Sequence, residues 1–362
     1  MVQLISGKVK NIAPSATLAV DAKAKQLKKE GKDILIFGAG EPDFNTPENI
    51  KEAARKAIDD NITRYTPVGG IKELKEAVIN KFKNDNKINY DASEVMISCG
   101  GKQALYNAAL SILDKGDECI LPVPYWVSYE EMIKLADARS VFCKTNGRFK
   151  LTAKDVEKNI SDKTKLLILN SPNNPSGAVV DLEEIKKIAK LAVENNFYVL
   201  SDEVYEFFTY GNKKYVSIAS LNEEIKNLTI TVNSVSKTYA MTGWRVGYCG
   251  GNKEVIDVMS NLQSHSTGNV SNIAQMAALE ALNGSQDSVK KMVKAFDERR
   301  KFMHKRLNEI SGISCIEPEG AFYAFPDISK IGSNSMDFAS KLLDEALVAV
   351  VPGSAFGSDD HV

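Results

Sequence analysis

The chemistry-bearing run that stands out first is Ser234-Val235-Ser236-Lys237-Thr238-Tyr239-Ala240-Met241-Thr242-Gly243-Trp244-Arg245-Val246-Gly247. A lysine drawn out of water loses proton affinity, so its amine can form a Schiff base or move protons. The arginine eight residues on offers a two-pronged donor and the serines offer hydroxyls, a set that suits a phosphate. Taken singly, a lysine is more often a solvated surface charge. Three other clusters stand beside it. Val95 to Ser98 runs through Cys99-Gly100-Gly101-Lys102 into a helix, a turn that presents free N–H groups to an anion or simply connects two elements tightly. Asn170-Ser171-Pro172-Asn173-Asn174-Pro175-Ser176-Gly177 follows an apolar strand, where α/β sheets bind ligands but where ordinary turn formers also gather. Ser201-Asp202-Glu203-Val204-Tyr205 could hold a protonated ring nitrogen with the aspartate and a ring oxygen with the phenol; a helix-capping aspartate is the plainer reading.

These clusters need a frame that brings strand ends together. Apolar runs at Val95 to Ser98, Glu118 to Leu121, Ser140 to Cys143, Leu166 to Asn170, Tyr198 to Ser201, Leu228 to Val232 and Val246 to Cys249 alternate with helical patterns. That order predicts an α/β domain with a mainly parallel sheet. Ahead of it, a helix is expected over 15–30, a strand over Ile34 to Phe37, and a helix capped by Thr46-Pro47 and running to Asp60. Helical periodicity dominates from Lys253 to Ile310 with a stop at Asn283-Gly284. A strand at Ala321 to Phe325, a helix over Met336 to Ala346 and an apolar run at Val348 to Val351 complete a smaller α+β part.

At 362 residues the chain is long enough for two packed parts. Its 46 Lys+Arg against 47 Asp+Glu leave a net charge of -1, which provides no basic field for a nucleic acid or an anionic membrane. Cys99, Cys119, Cys143, Cys249 and Cys315 are scattered singles, as in a reduced cytoplasmic protein, and His265, His304 and His361 lack the spacing of a zinc site, so no metal is expected. Neither a signal peptide nor a membrane span is expected. His265 reads as a surface residue.

With Gly38 to Phe44 and Pro124 to Tyr129 added, the four clusters resemble, in order and spacing over essentially the whole chain, the fold-type-I pyridoxal-phosphate enzymes of the class I/II aminotransferases. More narrowly the chain is similar to the Thermus-like bacterial and archaeal aspartate aminotransferase subgroup. The resemblance implies a large cofactor-binding α/β domain over 30–290, its mainly parallel sheet flanked by helices, and a small α+β domain made of 1–29 and 291–362. It implies pyridoxal 5'-phosphate held by Gly101, Lys102, Ser234, Ser236 and Arg245 at the phosphate, with Tyr65 arriving from the second subunit of a homodimer. Asp202 would hold the ring nitrogen, Tyr205 and Asn174 the ring oxygen, and Trp126 the ring face. Lys237 would bind the cofactor as a Schiff base and then carry the substrate α proton, so Lys237, Asp202 and Tyr205 form the expected catalytic set.

For substrate, the resemblance implies a ping-pong exchange between aspartate or glutamate and 2-oxoglutarate or oxaloacetate. Lys102, Ser15 and Thr17 would read the acidic side chain, with Gly40, Trp126 and Asn174 beside the substrate. Subgroup members that accept prephenate tend to carry a basic residue where Ala13 stands here, which weighs against that preference. A broader or aromatic transaminase and a non-catalytic pyridoxal-phosphate-binding protein are the alternatives. Relatives continue beyond the Gly353 to Val362 region with an arginine for the substrate α-carboxylate, so an incomplete carboxyl end and an uncovered apolar surface on the small domain are expected. Ser234-Val235-Ser236-Lys237 also fits S-x-x-K of serine acyltransferases, but the companion S-D-N and K-T-G motifs are missing.

Overall fold

The computed structural model describes residues 6–10, 12–14, 16–38 and 40–362. Among them the strands are Leu35–Ile36 (β1), Val95–Ser98 (β2), Glu118–Val123 (β3), Arg139–Lys144 (β4), Thr164–Asn170 (β5), Tyr198–Asp202 (β6), Thr229–Ser234 (β7), Gly247–Gly250 (β8) and Val348–Ala349 (β9). Seven of these form one sheet in the order β2-β8-β7-β6-β5-β3-β4. All its pairings are parallel except those of β8, which runs against both β2 and β7. The carboxyl ends of β3, β5, β6 and β7 therefore open on one edge, with Asn170 opposite Asp202 and Ser234 opposite Gly247. That edge is where an open α/β sheet binds its ligand.

Apolar alternation explains the layers. On β5, Leu166 and Ile168 pack with Leu105, Ala108 and Ala109 of the helix Gly101–Ile112, while Leu167 and Leu169 face the other way. There they meet Ile185, Ile188, Ala189 and Ala192, the buried stripe of the helix Leu182–Glu194. All six residues of β7 are buried, as a strand covered on both faces requires. Each fully buried Val, Leu or Ile contributes about 1.5–3 kcal/mol, so these layers hold the strand ends firmly.

A smaller part packs Ala24 of the helix Ala16–Lys29 with Ile34, Leu343 and Ala349 beside the parallel pair β1 and β9. The helix Asp287–Asn308 runs out from the large core, burying Val289 and Met292 near its start. Phe302, Ile310, Ile331 and Met336 leave large apolar side chains exposed. Among the described residues no helix is long and apolar enough to cross a membrane.

Two expectations are corrected. Ala321 to Phe325 is not a strand: Ala321 takes a left-handed backbone (φ 55°), which breaks the extended run, and Phe322 stacks on Phe296 with ring centroids 4.9 Å apart. The apolar pattern there reflects an aromatic cluster. Nor does Thr46 cap the following helix, Glu48–Asp59. Pro47 occupies the cap position, while the Thr46 hydroxyl donates to Ala240 O at 2.7 Å and accepts from the Trp244 indole at 3.0 Å. Thr46 thus ties that loop to the lysine-arginine segment.

Candidate active site

A cleft of about 800 Å³ opens at the carboxyl edge of the sheet, and Gly40, Gly101, Lys102, Trp126, Asn174, Asp202, Tyr205, Ser234, Ser236, Lys237 and Arg245 all line it. Eleven positions scattered over 206 residues of sequence converge because three adjacent parallel strands end there. Tyr65 is not among them. Its side chain stands 97% exposed, away from this cleft. Ser15 and the Thr17 side chain lie outside the described residues. His265 is exposed, as expected.

Lys237 stands on the short helix Val235–Thr238, which begins where β7 stops, with the Ser234 hydroxyl accepting the Ser236 N–H at 3.3 Å. Its ammonium donates to the Gly40 carbonyl. Among the described residues no carboxylate comes within ion-pair distance of it. Burial pushes its amine down to about 8; Arg245 and Lys102 push the same way, against Glu41 and Asp202. A measurable fraction of the amine is therefore uncharged at neutral pH.

Asp202 ends β6 and accepts the Tyr129 hydroxyl at 2.6 Å and the Val204 N–H at 3.3 Å. Burial raises its carboxyl to about 6, with those two donors and Lys237 opposing the rise. The plainer reading of Asp202 as a simple helix cap is not what forms; the carboxylate lines the cleft. Tyr205, three residues on, shares a 2.5 Å hydrogen bond with the Tyr323 hydroxyl, and Asn174 donates to Tyr323 at 3.4 Å. Tyr129 enters the sequence analysis only as the end of the Pro124 to Tyr129 stretch, with no role of its own, and Tyr323 is given none either. Tyr129 lies three residues after Trp126 across the start of the helix Ser128–Leu135, and that spacing was the available signal. Tyr323 sat in the misread strand and gave none.

The glycine turn faces Arg245. Gly100 is left-handed (φ 85°), and a Cβ built on it would lie 2.2 Å from the Arg245 guanidinium. A Cβ on Gly247 would lie 2.3 Å from both Gly100 C and Gly101 N, so the two backbones meet only because Gly247 carries no side chain. Arg245 is itself left-handed (φ 56°), its guanidinium anchored by Thr242 O at 2.7 Å and Cys99 O at 3.4 Å. Helix N–H groups, two serine hydroxyls and a guanidinium surround one end of the cleft, a donor set that fits a phosphate. Lys102 lies 4.8 Å from the centre of the Trp126 ring, which meets Tyr129 edge-on at 5.3 Å. Anion donors at one end, a buried carboxylate at the other and an unpaired amine between them fit a phosphorylated, basic aromatic aldehyde.

Residues 32–362 match the family model described as Aminotransferase class I and II. The chain is 48% identical over 369 residues to the aspartate aminotransferase of Bacillus sp. strain YM-2, an alignment covering 100% of this chain and 94% of that protein. It is 47% identical to the probable aspartate/prephenate aminotransferase of Rickettsia prowazekii, covering 99% of this chain and 93% of the relative. Among solved structures, the aspartate aminotransferase from Thermus thermophilus with maleate superposes with a TM-score of 0.96 at 42% identity, covering 100% of this chain and 94% of that one.

Proposed function

The chain belongs to the class I and II aminotransferases, pyridoxal-phosphate-dependent enzymes of fold type I, and we propose that it exchanges the amino group between L-aspartate or L-glutamate and 2-oxoglutarate or oxaloacetate. The observation that carries this reading is the partly buried Lys237 amine, with no carboxylate at ion-pair distance among the described residues, lining one cleft with the anion donors and the buried Asp202. The similar Thermus enzyme was solved with maleate, a four-carbon dicarboxylate, and the Bacillus sp. relative is named for aspartate, which has the same carbon count and two carboxylates.

When bound, pyridoxal phosphate supplies an aldehyde for the amino group and a ring that spreads negative charge away from the substrate α carbon. Gly101 N–H, Ser234, Ser236 and Arg245 hold the phosphate. Lys102 adds charge on that side, and Tyr65 of the second subunit would complete the cup in a homodimer. Asp202, ionised above about pH 6, keeps a proton on the ring nitrogen. Tyr205 and Asn174 would hold the ring oxygen, and Trp126 would stack on the ring face. Lys237 takes the proton from the substrate α carbon and returns it on the other side of the exchange; with an amine at about 8, roughly a tenth is uncharged at pH 7. Gly40, Trp126 and Asn174 border the substrate, whose distal carboxylate meets Lys102 with Ser15 and Thr17. The scaffold for these roles is the large part over 30–290, with the two chain ends packed beside it, in a cytoplasmic protein.

The test is the absorption spectrum of the protein with pyridoxal phosphate before and after L-aspartate, L-glutamate and an aromatic amino acid. A visible lysine-bound band that disappears fastest with the acidic amino acids is expected. A band that ignores every amino acid would leave a binding protein, and no band at all would remove Lys237 from its role.

A further inference from the structure

Five polar side chains, Lys81, Asn86, Glu203, Glu206 and Asn233, are buried behind the cleft and line none of it. The Lys81 ammonium pairs with Glu206 and donates to Asn86 Oδ1 at 2.5 Å. Asn86 in turn donates to Glu206 Oε2 at 2.5 Å and Glu203 Oε2 at 3.0 Å. The helix Lys72–Lys81 widens into a π-helical turn over Phe82–Asn86, closed by left-handed Lys87 (φ 62°). Lys81 and Asn86 are five residues apart, and this wide turn brings them to one side, a local cost that is common at functional sites. Burying one ammonium with two carboxyls is itself poor stabilisation, since apolar side chains often serve as well. Burial and Glu206 together push the Glu203 carboxyl up to about 7, while Ser201, Ser217 and Tyr215 donate to it.

Asn233 carries the cluster to the site. Its amide donates to Glu206 Oε1 at 2.6 Å and to Glu203 O at 3.2 Å, and its oxygen accepts the Ser234 N–H at 2.7 Å. The last registered pair between β6 and β7 is Asp202 with Val232, followed by one further backbone bond from Glu203 N to Val232 O. Where the ladder ends, one side chain continues it. It joins the backbone just past Asp202 to the backbone of Ser234, so it spans the two anchors of the proposed cofactor.

We propose that Asn233, oriented by Glu206 and Lys81, is a positioning residue that sets the separation between Asp202 and the Ser234–Lys237 turn, so that ring and phosphate are gripped together. This rests on the cofactor contacts assigned above. A residue that sets a separation matters to a ligand that uses both anchors and not to one that uses a single anchor. Binding of pyridoxal phosphate and of inorganic phosphate alone should therefore be measured by titration for the wild-type chain and for Asn233→Ala. The expected result is about tenfold weaker pyridoxal phosphate binding, a shifted pH midpoint of its visible band, and phosphate affinity within twofold of wild type. Should Asn233→Ala fail to fold, the paired change Lys81→Met with Glu206→Met decides, with the same selective loss at about threefold. Pyridoxal phosphate binding within twofold of wild type, or phosphate affinity lost in step with it, would overturn the proposal. A wild-type chain that shows no lysine-bound band would instead overturn the underlying reading, so the two failures are distinct.

Discussion

Lys81 and Lys237 have both left solvent, and they differ in what receives their protons. Lys81 is paired: Glu206 and Asn86 accept its hydrogens and an Asp85 oxygen lies 3.9 Å away, in a cluster outside the cleft. Lys237 has one carbonyl, from Gly40, and faces open volume beside two other cations. The neighbouring carboxyls repeat the contrast. Asp202 lines the cleft, whereas Glu203, next in the chain, accepts from Asn86 in the Lys81 cluster. Buried charge therefore does opposite work on the two sides of the same strand ends. Where partners are complete it holds backbone in place, and where they are incomplete it leaves reactive groups waiting for a ligand.

The sharpest way to break this contrast is to remove the waiting amine. Lys237→Ala should cut transamination of L-aspartate by about a thousandfold or more while pyridoxal phosphate still associates weakly; a coupled assay beside equilibrium dialysis reads both. Asp202→Asn keeps the shape and loses the charge, and should lower kcat by about a hundredfold with the chain still folded; a near-normal rate would detach Asp202 from the ring nitrogen. A smaller effect is expected at the glycine turn. In Gly100→Ala a side chain with φ near 85° meets the Arg245 guanidinium, and strain of about 1–3 kcal/mol should weaken pyridoxal phosphate about tenfold, read by fluorescence titration.

Two pH measurements sharpen the comparison further. With the uncharged Lys237 amine as the proposed nucleophile, the rate of cofactor capture should rise with pH through a midpoint about 8 in stopped-flow measurements. Removing the like charge in Arg245→Gln should move that midpoint upward. In the proposed role only ionised Asp202 would hold the ring nitrogen, so cofactor binding should weaken as pH falls through about 6. Because the Tyr129 hydroxyl holds that carboxyl down, Tyr129→Phe should shift this acid limb to higher pH by less than one unit, the smallest of these effects.

Much of this is legible in the sequence. Seven apolar runs alternating with helical patterns became the seven strands of the main sheet; a central strand covered on both faces, such as β5, carries the clearest run, Leu166 to Leu169. The lysine, the glycine turn, the asparagine-proline loop and the aspartate were visible because each follows such a run. Ala321 to Phe325 misled because aromatic packing and strand burial demand the same residue types, and only the left-handed Ala321 distinguishes them. Thr46 misled for a related reason: a hydroxyl beside a helix start can cap it or, as here, bond across 194 residues to Ala240.

What the sequence determined by itself is therefore local and periodic: which segments are strands and helices, where each strand stops, and which reactive residue stands just beyond the stop. Tertiary structure alone decided the rest. It brought Tyr323 to Tyr205, Tyr129 to Asp202 and Asn233 between two strand ends, and among the described residues it left Lys237 without a carboxylate at ion-pair distance while giving Lys81 Glu206, Asn86 and Asp85. Propensity and periodicity act over one turn or one pleat, whereas proton affinity and hydrogen-bond satisfaction depend on whatever the whole fold places within a few ångströms of a side chain.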